Sequence, residues 1–262
     1  MKLGKRIRAS WWVAVAALLL LAPFAFSQNS VDLTLLNGGN YTMDGIYVGP
    51  YNALQTSNGQ SQSVQIICDD FSHEVTTNES WAANVTSVAT LNSNNVGGLA
   101  WGGASGSGGS YVGISGTVLQ GYTAMAYLAA EMLPLSSNPA NAQQVGYLAY
   151  ALWAIFQPTQ VENWLLSQGT KQSVVNQIMS MANGALTLAV NGSISASQFS
   201  GWEILSPTCY AQGNCNPGTP QEFFEYVPEG GTALMYLLLG GLTCFGTMFL
   251  KSRRRRAISE VV

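Results

Sequence analysis

The chain has 262 residues, of which 47% are hydrophobic and only 9% charged, with ten Lys plus Arg against thirteen Asp plus Glu for a formal net charge of −3. Nine of the ten basic residues lie in the two end segments, so residues 28 to 228 hold one positive charge, Lys171, against eleven negative ones, a net of −10. Such a body is repelled by nucleic acid and by anionic lipid headgroups, which excludes a nucleic-acid partner. Its polar surface must then come from Asn, Gln, Ser and Thr, and a length of about 200 residues suffices for one well-buried domain or two small ones.

In chain order, Lys2, Lys5, Arg6 and Arg8 precede an apolar run from Trp11 to about Phe24, and Ala25-Phe26-Ser27 places small residues at the minus-three and minus-one positions of a cleavage site. This predicts a secretory signal peptide over residues 1–27, cut by signal peptidase to leave Gln28 as the mature N-terminus. The alternative is an uncleaved N-terminal anchor, for which the run is short. On either reading the residues that follow are exported.

From Val31 to Trp81, short apolar runs alternate with turn residues: VDLTLL, NGGN, YTMDGIYVGPY, QTSNGQSQ, SVQIICDDFSHEV. These read as strands and turns. Residues 91–117 are dominated by Gly, Ser and Asn and read as a long loop within one domain. It carries no nucleophile elbow, since Gly103-Ala104-Ser105-Gly106-Ser107 ends in Ser, and no lysine for a phosphate-binding loop.

Beyond the loop the period changes. VLQGYTAMAYLAAEML (118–133) reads as a buried helix stopped by Pro134. NPANAQQVGYLAYALWAIFQP reads as a second, with Asn138 as candidate N-cap, Pro139 at the first position and Pro158 closing it. VENWLLSQ and KQSVVNQIMSMAN supply two more, extending the helical part to about 184. LTLAV, WEILS and EFFEYV return to strand-like runs. The order strands, helices, strands predicts an α+β domain over 28–226, a mostly antiparallel sheet on which a helical insert packs. Cys209 and Cys215 enclose a five-residue loop that either closes as a disulfide in an exported protein or holds two free thiols. Cys68 is left without an obvious partner.

The C-terminal end has three parts in order: Val227-Pro228-Glu229-Gly230, the nineteen uncharged residues Thr232 to Leu250, and Arg253, Arg254, Arg255 and Arg256 after Lys251. A helix of that length reaches ~28 Å, close to the bilayer's ~30 Å hydrocarbon core, so 232–250 is predicted to span as a single transmembrane helix. The positive charge that follows keeps the 257–262 tail cytoplasmic.

This tripartite end resembles the PEP-CTERM sorting signal of bacterial exported proteins over about residues 227–256, with Gly230 in place of the usual second proline. The resemblance implies an exosortase-type processing enzyme as partner, transient residence in the inner membrane of a Gram-negative-type cell, and delivery to the surface or to an exopolysaccharide-rich matrix or biofilm. The body has a second resemblance. ICDDFSHEV with Trp81, then AYLAAEM and YALWAIF, is similar to the domain of many PEP-CTERM proteins, which itself looks like the thioester domain of surface adhesins. There a cysteine bonds to a glutamine just before an A-I-W segment. Cys68 matches the cysteine and Ala151-Leu152-Trp153 the A-I-W, but Ala149 stands at the glutamine position, with Gln143 and Gln144 further upstream. The resemblance therefore implies kinship of fold without a thioester.

Other chemistry is sparse. His73 is the only histidine, so any Ser-His-Asp or Cys-His site must pass through it. Cys68 and His73 are five apart, which in a continuous strand sends them to opposite faces. Asp69, Asp70, His73 and Glu74 are candidate divalent-cation ligands by type, although their spacing follows no calcium or zinc pattern. Trp101 and Tyr111, flanking the Gly/Ser loop, are the candidate ligand contacts, and the other tryptophans read as core. The combined expectation is a non-enzymatic, cofactor-free exported structural or binding protein of the cell surface or matrix. The alternatives are an adhesin using Cys68 and an exported hydrolase depending on His73.

Overall fold

The structure, a computed structural model, describes residues 30–102, 110–111, 114–216 and 218–228, with only the backbone path given at 110, 111, 114 and 115. The signal peptide, Glu229, Gly230, the 232–250 span, the arginines 253–256, the tail and most of the Gly/Ser loop lie outside the described residues. Among those described, no helix is long and apolar enough to cross a membrane.

The chain begins with β1 (Ser30–Asn37), a small hairpin of β2 (Thr42–Met43) and β3 (Ile46–Tyr47), then β4 (Tyr51–Ser57), β5 (Gln60–Cys68) and β6 (Ser80–Ser87). A second small hairpin, β7 (Ser110–Tyr111) with β8 (Ile114–Ser115), leads to four helices: α1 (Val118–Leu135), α2 (Ala142–Ala154), α3 (Pro158–Ser167) and α4 (Gln172–Val190). β9 (Trp202–Pro207), the short α5 (Thr208–Gln212) and β10 (Phe223–Tyr226) complete the domain.

The fold class read from the sequence requires correction. An open antiparallel sheet carrying a helical insert is expected, whereas the six long strands close into an antiparallel barrel in the order β1-β4-β5-β10-β9-β6, with β6 returning to β1. Closure comes from β9 and β10, which follow the helices and fill the gap between β5 and β6. Those pairings join residues more than a hundred positions apart, and hydrophobic periodicity carries no record of them. The closed form leaves none of the six strands with an unpaired edge.

Alternation sets the inner face. Val31, Leu33 and Leu35 point inward from β1, and the register Leu33↔Trp81, Tyr51↔Ile66 and Phe223↔Cys68 carries the same face around the barrel. Phe223 is the centre of that core, its ring centroid 5.9 Å from Tyr51 and 5.7 Å from Trp81. The outer face of β5, β9 and β10 is apolar as well, through Ile67, Ile204 and Phe224, and α1 covers it, with Tyr122 6.4 Å from Phe224 between ring centroids.

Helix boundaries also differ from expectation. α1 opens on a capping box in which Thr117 Oγ1 accepts from Gln120 N and Gln120 Oε1 accepts from Thr117 N, and it runs one residue past Pro134. Pro158 opens α3 instead of closing α2. LTLAV, read as a strand, is the last stretch of α4, because Ala182, Ala185, Leu186 and Ala189 continue the helical stripe of buried positions begun by Val175, Ile178 and Met179. Gly121 sits where the Phe156 ring lies on α1 and leaves no room for a Cβ.

One end of the barrel interior is polar. Glu225 faces Glu203 across the β10–β9 ladder, Gln55 Nε2 donates to Glu225 Oε2 at 2.9 Å, and Gln62 Nε2 donates to Gln55 Oε1 at 2.6 Å. Among the described residues, no Lys or Arg balances the two acids. Burial first, and then the charge of Glu203, push the Glu225 carboxyl up from 4.5 to about 7, against the opposing Gln55 hydrogen bond. A carboxyl raised in this way contributes stability that is fully present below its unfolded value and is lost as pH rises through its folded value. At ~1.36 kcal/mol per unit this is worth roughly 3 kcal/mol. Urea unfolding should therefore show stability falling between about pH 4.5 and about pH 8, with Glu225→Gln removing roughly 3 kcal/mol of that fall. A Glu225→Gln profile parallel to the parent would overturn this assignment.

Candidate functional site

β5 ends at Cys68, and the residues that follow leave the barrel in a tight turn. Two glutamines hold that turn. Gln157, 6% exposed at the junction of α2 and α3, accepts from Phe71 N at 2.8 Å and donates to Ser72 Oγ and Gln160 Oε1. Gln221, just before β10, donates to the carbonyls of Asp70 and His73. Trp153 Nε1 donates to Cys68 O at 2.9 Å, fixing the strand end to α2.

The turn brings Asp70 and His73 together. Asp70 is fully buried, with Oδ1 accepting from Ser72 N at 2.8 Å and Oδ2 lying 2.5 Å from His73 Nδ1. Tyr210, carried on α5 beside the Cys209–Cys215 disulfide, places its hydroxyl 3.4 Å from both. The Asp70 hydrogen bond raises the His73 pKa above its ordinary value, partial burial opposes it, and the Asp70 charge adds to the rise. Nδ1 carries the proton toward Asp70, so Nε2 is the nitrogen left for a ligand.

His73 and Asp70 lie at a cleft of about 350 Å³ at the mouth of the barrel. One wall is the tip of the β2–β3 hairpin, whose Asp44-Gly45 turn has positive φ at both residues, 50° and 84°, the conformation for which Gly is favoured. This tip presents Ile46 and Tyr47. Tyr47 is 53% exposed yet held in place, because its ring lies against Gly38 with no room for a Cβ there. Its carbonyl accepts from the Tyr51 hydroxyl at 2.8 Å. The opposite wall is aromatic, with Phe71 5.2 Å from Trp153 and 6.2 Å from Trp164 between ring centroids. Glu74, exposed, supplies a carboxylate at the rim, and among the described residues no Lys or Arg lines the cleft.

Behind the turn lies a second buried group of acids. Glu222 accepts from the Tyr122 hydroxyl at 2.6 Å, from Ala100 N at 2.9 Å and from Ser206 Oγ. Asp69, fully buried with it, has no hydrogen-bond partner for either oxygen among the described residues. Burial and then the Glu222 charge hold the Asp69 carboxyl well above the usual range. Burial raises the Glu222 carboxyl as well, but the hydrogen bonds it accepts from Ser206, Tyr122 and Ala100 oppose that rise, so of the two acids Asp69 is held further toward its protonated form.

The four residues singled out as cation ligands are thus divided. Asp70 and His73 meet, Asp69 faces the Glu222 network, and Glu74 stands at the rim. Among the described residues, no three His, Cys, Asp or Glu side chains converge in a metal-ligand arrangement. Trp101 does not stand free, its ring stacking on Phe156 at 5.4 Å and 14°. The Tyr111 side chain lies outside the description. Val227 donates through its N to Gly201 O, and Pro228 follows at the end of the described chain. Tyr47, Tyr210, Gln157, Gln221 and Glu222 were not singled out from the sequence. A usable signal existed for Glu222, an acid set directly before Phe223-Phe224 in a body with few charges.

Cys68 is buried, and its thiol donates to Asp70 O at 3.2 Å. Burial first, then Asp70 and Asp69, push the thiol up, away from a nucleophilic thiolate. Ala149 is buried in α2, and Gln143 bonds to the Tyr147 hydroxyl at 2.7 Å. Among the described residues, no hydroxyl or thiol is hydrogen-bonded to His73 Nε2. Comparison with protein-family models, curated proteins and solved structures finds no match.

Two measurements follow from this geometry. Because the chain has a single histidine, NMR titration of its imidazole reads His73 directly, and Asp70→Asn should lower its pKa; an unchanged value would mean that the short contact does not hold the proton. Intact mass of the protein should show no loss of ammonia at Cys68. A mass short by one ammonia, restored by an amine nucleophile and absent in Cys68→Ala, would show a thioester formed with a glutamine elsewhere than position 149, where the A-L-W segment places Ala149.

Proposed function

We propose that this is an exported, non-enzymatic protein of the cell surface or extracellular matrix, sorted by an exosortase-type enzyme after signal-peptidase cleavage, whose barrel domain binds exopolysaccharide in the Tyr47–Trp164 cleft. The two chain ends support export and sorting through their charge and apolar patterns. The observation that carries the binding role is the cleft itself. Flat rings match the apolar faces of sugar rings. The Asp70–His73 pair and Gln221 supply hydrogen-bonding groups for hydroxyls, and a volume of about 350 Å³ falls in the range of small-ligand sites. The candidate contact thereby moves from Trp101 and Tyr111 to the barrel mouth.

The test is co-sedimentation of the mature protein, recovered from its host, with that host's exopolysaccharide. Tyr47→Ala, at an exposed position whose loss does not open the core, should weaken binding about tenfold, the equivalent of ~1.4 kcal/mol. Binding unchanged in Tyr47→Ala, or absent from the parent protein, would overturn the reading.

A further inference from the structure

The cleft has walls suited to a sugar and a charge suited to a cation. Its titratable groups are Asp70 and His73 on the turn, Glu74 at the rim, and Tyr47 and Tyr51 from the hairpin and β4, with the Tyr210 hydroxyl contacting the pair from α5. With His73 neutral, these groups sum to two negative charges, and among the described residues no Lys or Arg side chain lines the cleft to offset them. The surrounding body, with Lys171 as its one basic residue between 28 and 228, deepens the same potential. A uronic-acid or sulfated glycan would meet carboxylates with no counter-charge. A neutral glycan would use the rings and leave Glu74 idle. An ammonium group beside the rings would gain both the carboxylates and the faces of Tyr47 and Trp164.

We propose that the cleft selects glycans bearing free, protonated amines, such as N-deacetylated hexosamine polymers, over neutral and acidic ones. This rests on the carbohydrate reading above and narrows it. Selection resides in Glu74 and Asp70, while Tyr47 and Trp164 provide ring contact that any hexose can use. His73 opposes the ligand when protonated, because its imidazolium then cancels the Asp70 charge. Its hydrogen bond to Asp70 favours that protonated state in mildly acid solution.

The experiment is calorimetric titration of the mature protein at about pH 6 and low salt with three probes of matched length: a glucosamine oligomer, its fully N-acetylated form and an oligolysine. The glucosamine oligomer should bind at least about fivefold tighter than the N-acetylated form, with the preference lost at high salt. Glu74→Gln, at an exposed rim position, should reduce glucosamine binding about threefold or more and leave the N-acetylated oligomer unchanged, since it removes the attracting charge that His73 does not offset. His73→Gln should strengthen glucosamine binding at this pH. Equal affinity for the amine and N-acetylated probes, unaltered by Glu74→Gln, would overturn the amine selection and leave the carbohydrate reading standing. Oligolysine binding as tightly as the glucosamine oligomer, with Tyr47→Ala affecting neither, would overturn both, as would an absence of binding by all three.

Discussion

Glu222 is a buried carboxyl in a domain that has almost no positive charge to offer it. It accepts from donors brought from three places: Tyr122 on α1, Ser206 on β9 and the backbone N of Ala100 after β6. A charge moved from water to the interior costs several kcal/mol unless such groups converge on it. Its position therefore fixes the relation between helical layer and barrel, since Tyr122 reaches Glu222 only if α1 lies across the β9–β10 face. Trp101 N in turn donates to the Tyr122 hydroxyl at 3.1 Å, which ties the start of the Gly/Ser segment to the same point. Replacement of Glu222 would strand a tyrosine hydroxyl, a serine hydroxyl and a backbone N–H together.

The cleft inherits its shape from this arrangement. Gln221 precedes Glu222, so anchoring the acid positions the amide that accepts no compromise in the turn: it donates to Asp70 O and His73 O. Gln157 holds the other side of the turn from the helices. Asp69 and Asp70 are adjacent in sequence but serve opposite sides of the wall, one buried beside Glu222 and one accepting from His73. In a low-charge protein, glutamine side chains take the place that ion pairs occupy elsewhere, because each offers a donor and an acceptor without a desolvated charge.

The alternation of VDLTLL, the turn residues between the early strands, and the strand character of WEILS and EFFEYV were all legible in the sequence, as was the helical character of 118–133. What was not legible is how the strands close. Phe223 pairs with Cys68 across a stretch of chain that holds four helices, and no local pattern distinguishes an open sheet from this barrel. LTLAV misled because its β-branched and leucine residues satisfy a strand pattern, while packing against α1 and α2 decides for helix. For the site, composition marked His73 and its acidic neighbours as unusual. The strand rule for Cys68 and His73 did not apply, since β5 ends at Cys68 and the chain bends. Tyr47 and Tyr210 come from segments 26 residues before and 137 residues after His73, a convergence that only the closed barrel creates.

The direction of β10 has a consequence for how the cleft is presented. β5 runs toward the cleft, ending at Cys68, and β10 runs antiparallel to it, starting at Phe223 opposite Cys68 and passing Glu225 opposite Ile66. Gln221 and Glu222 therefore lie at the cleft end of the barrel, and Tyr226, Val227 and Pro228 lie away from it. At about 3.3 Å per residue, the four residues of β10 carry the chain roughly 10 Å from the cleft. Pro228 thus lies on the side of the barrel remote from Tyr47 and His73. The proposed attachment through the C-terminal end would then hold the aromatic cleft outward, the orientation that the proposed binding to a surrounding matrix requires.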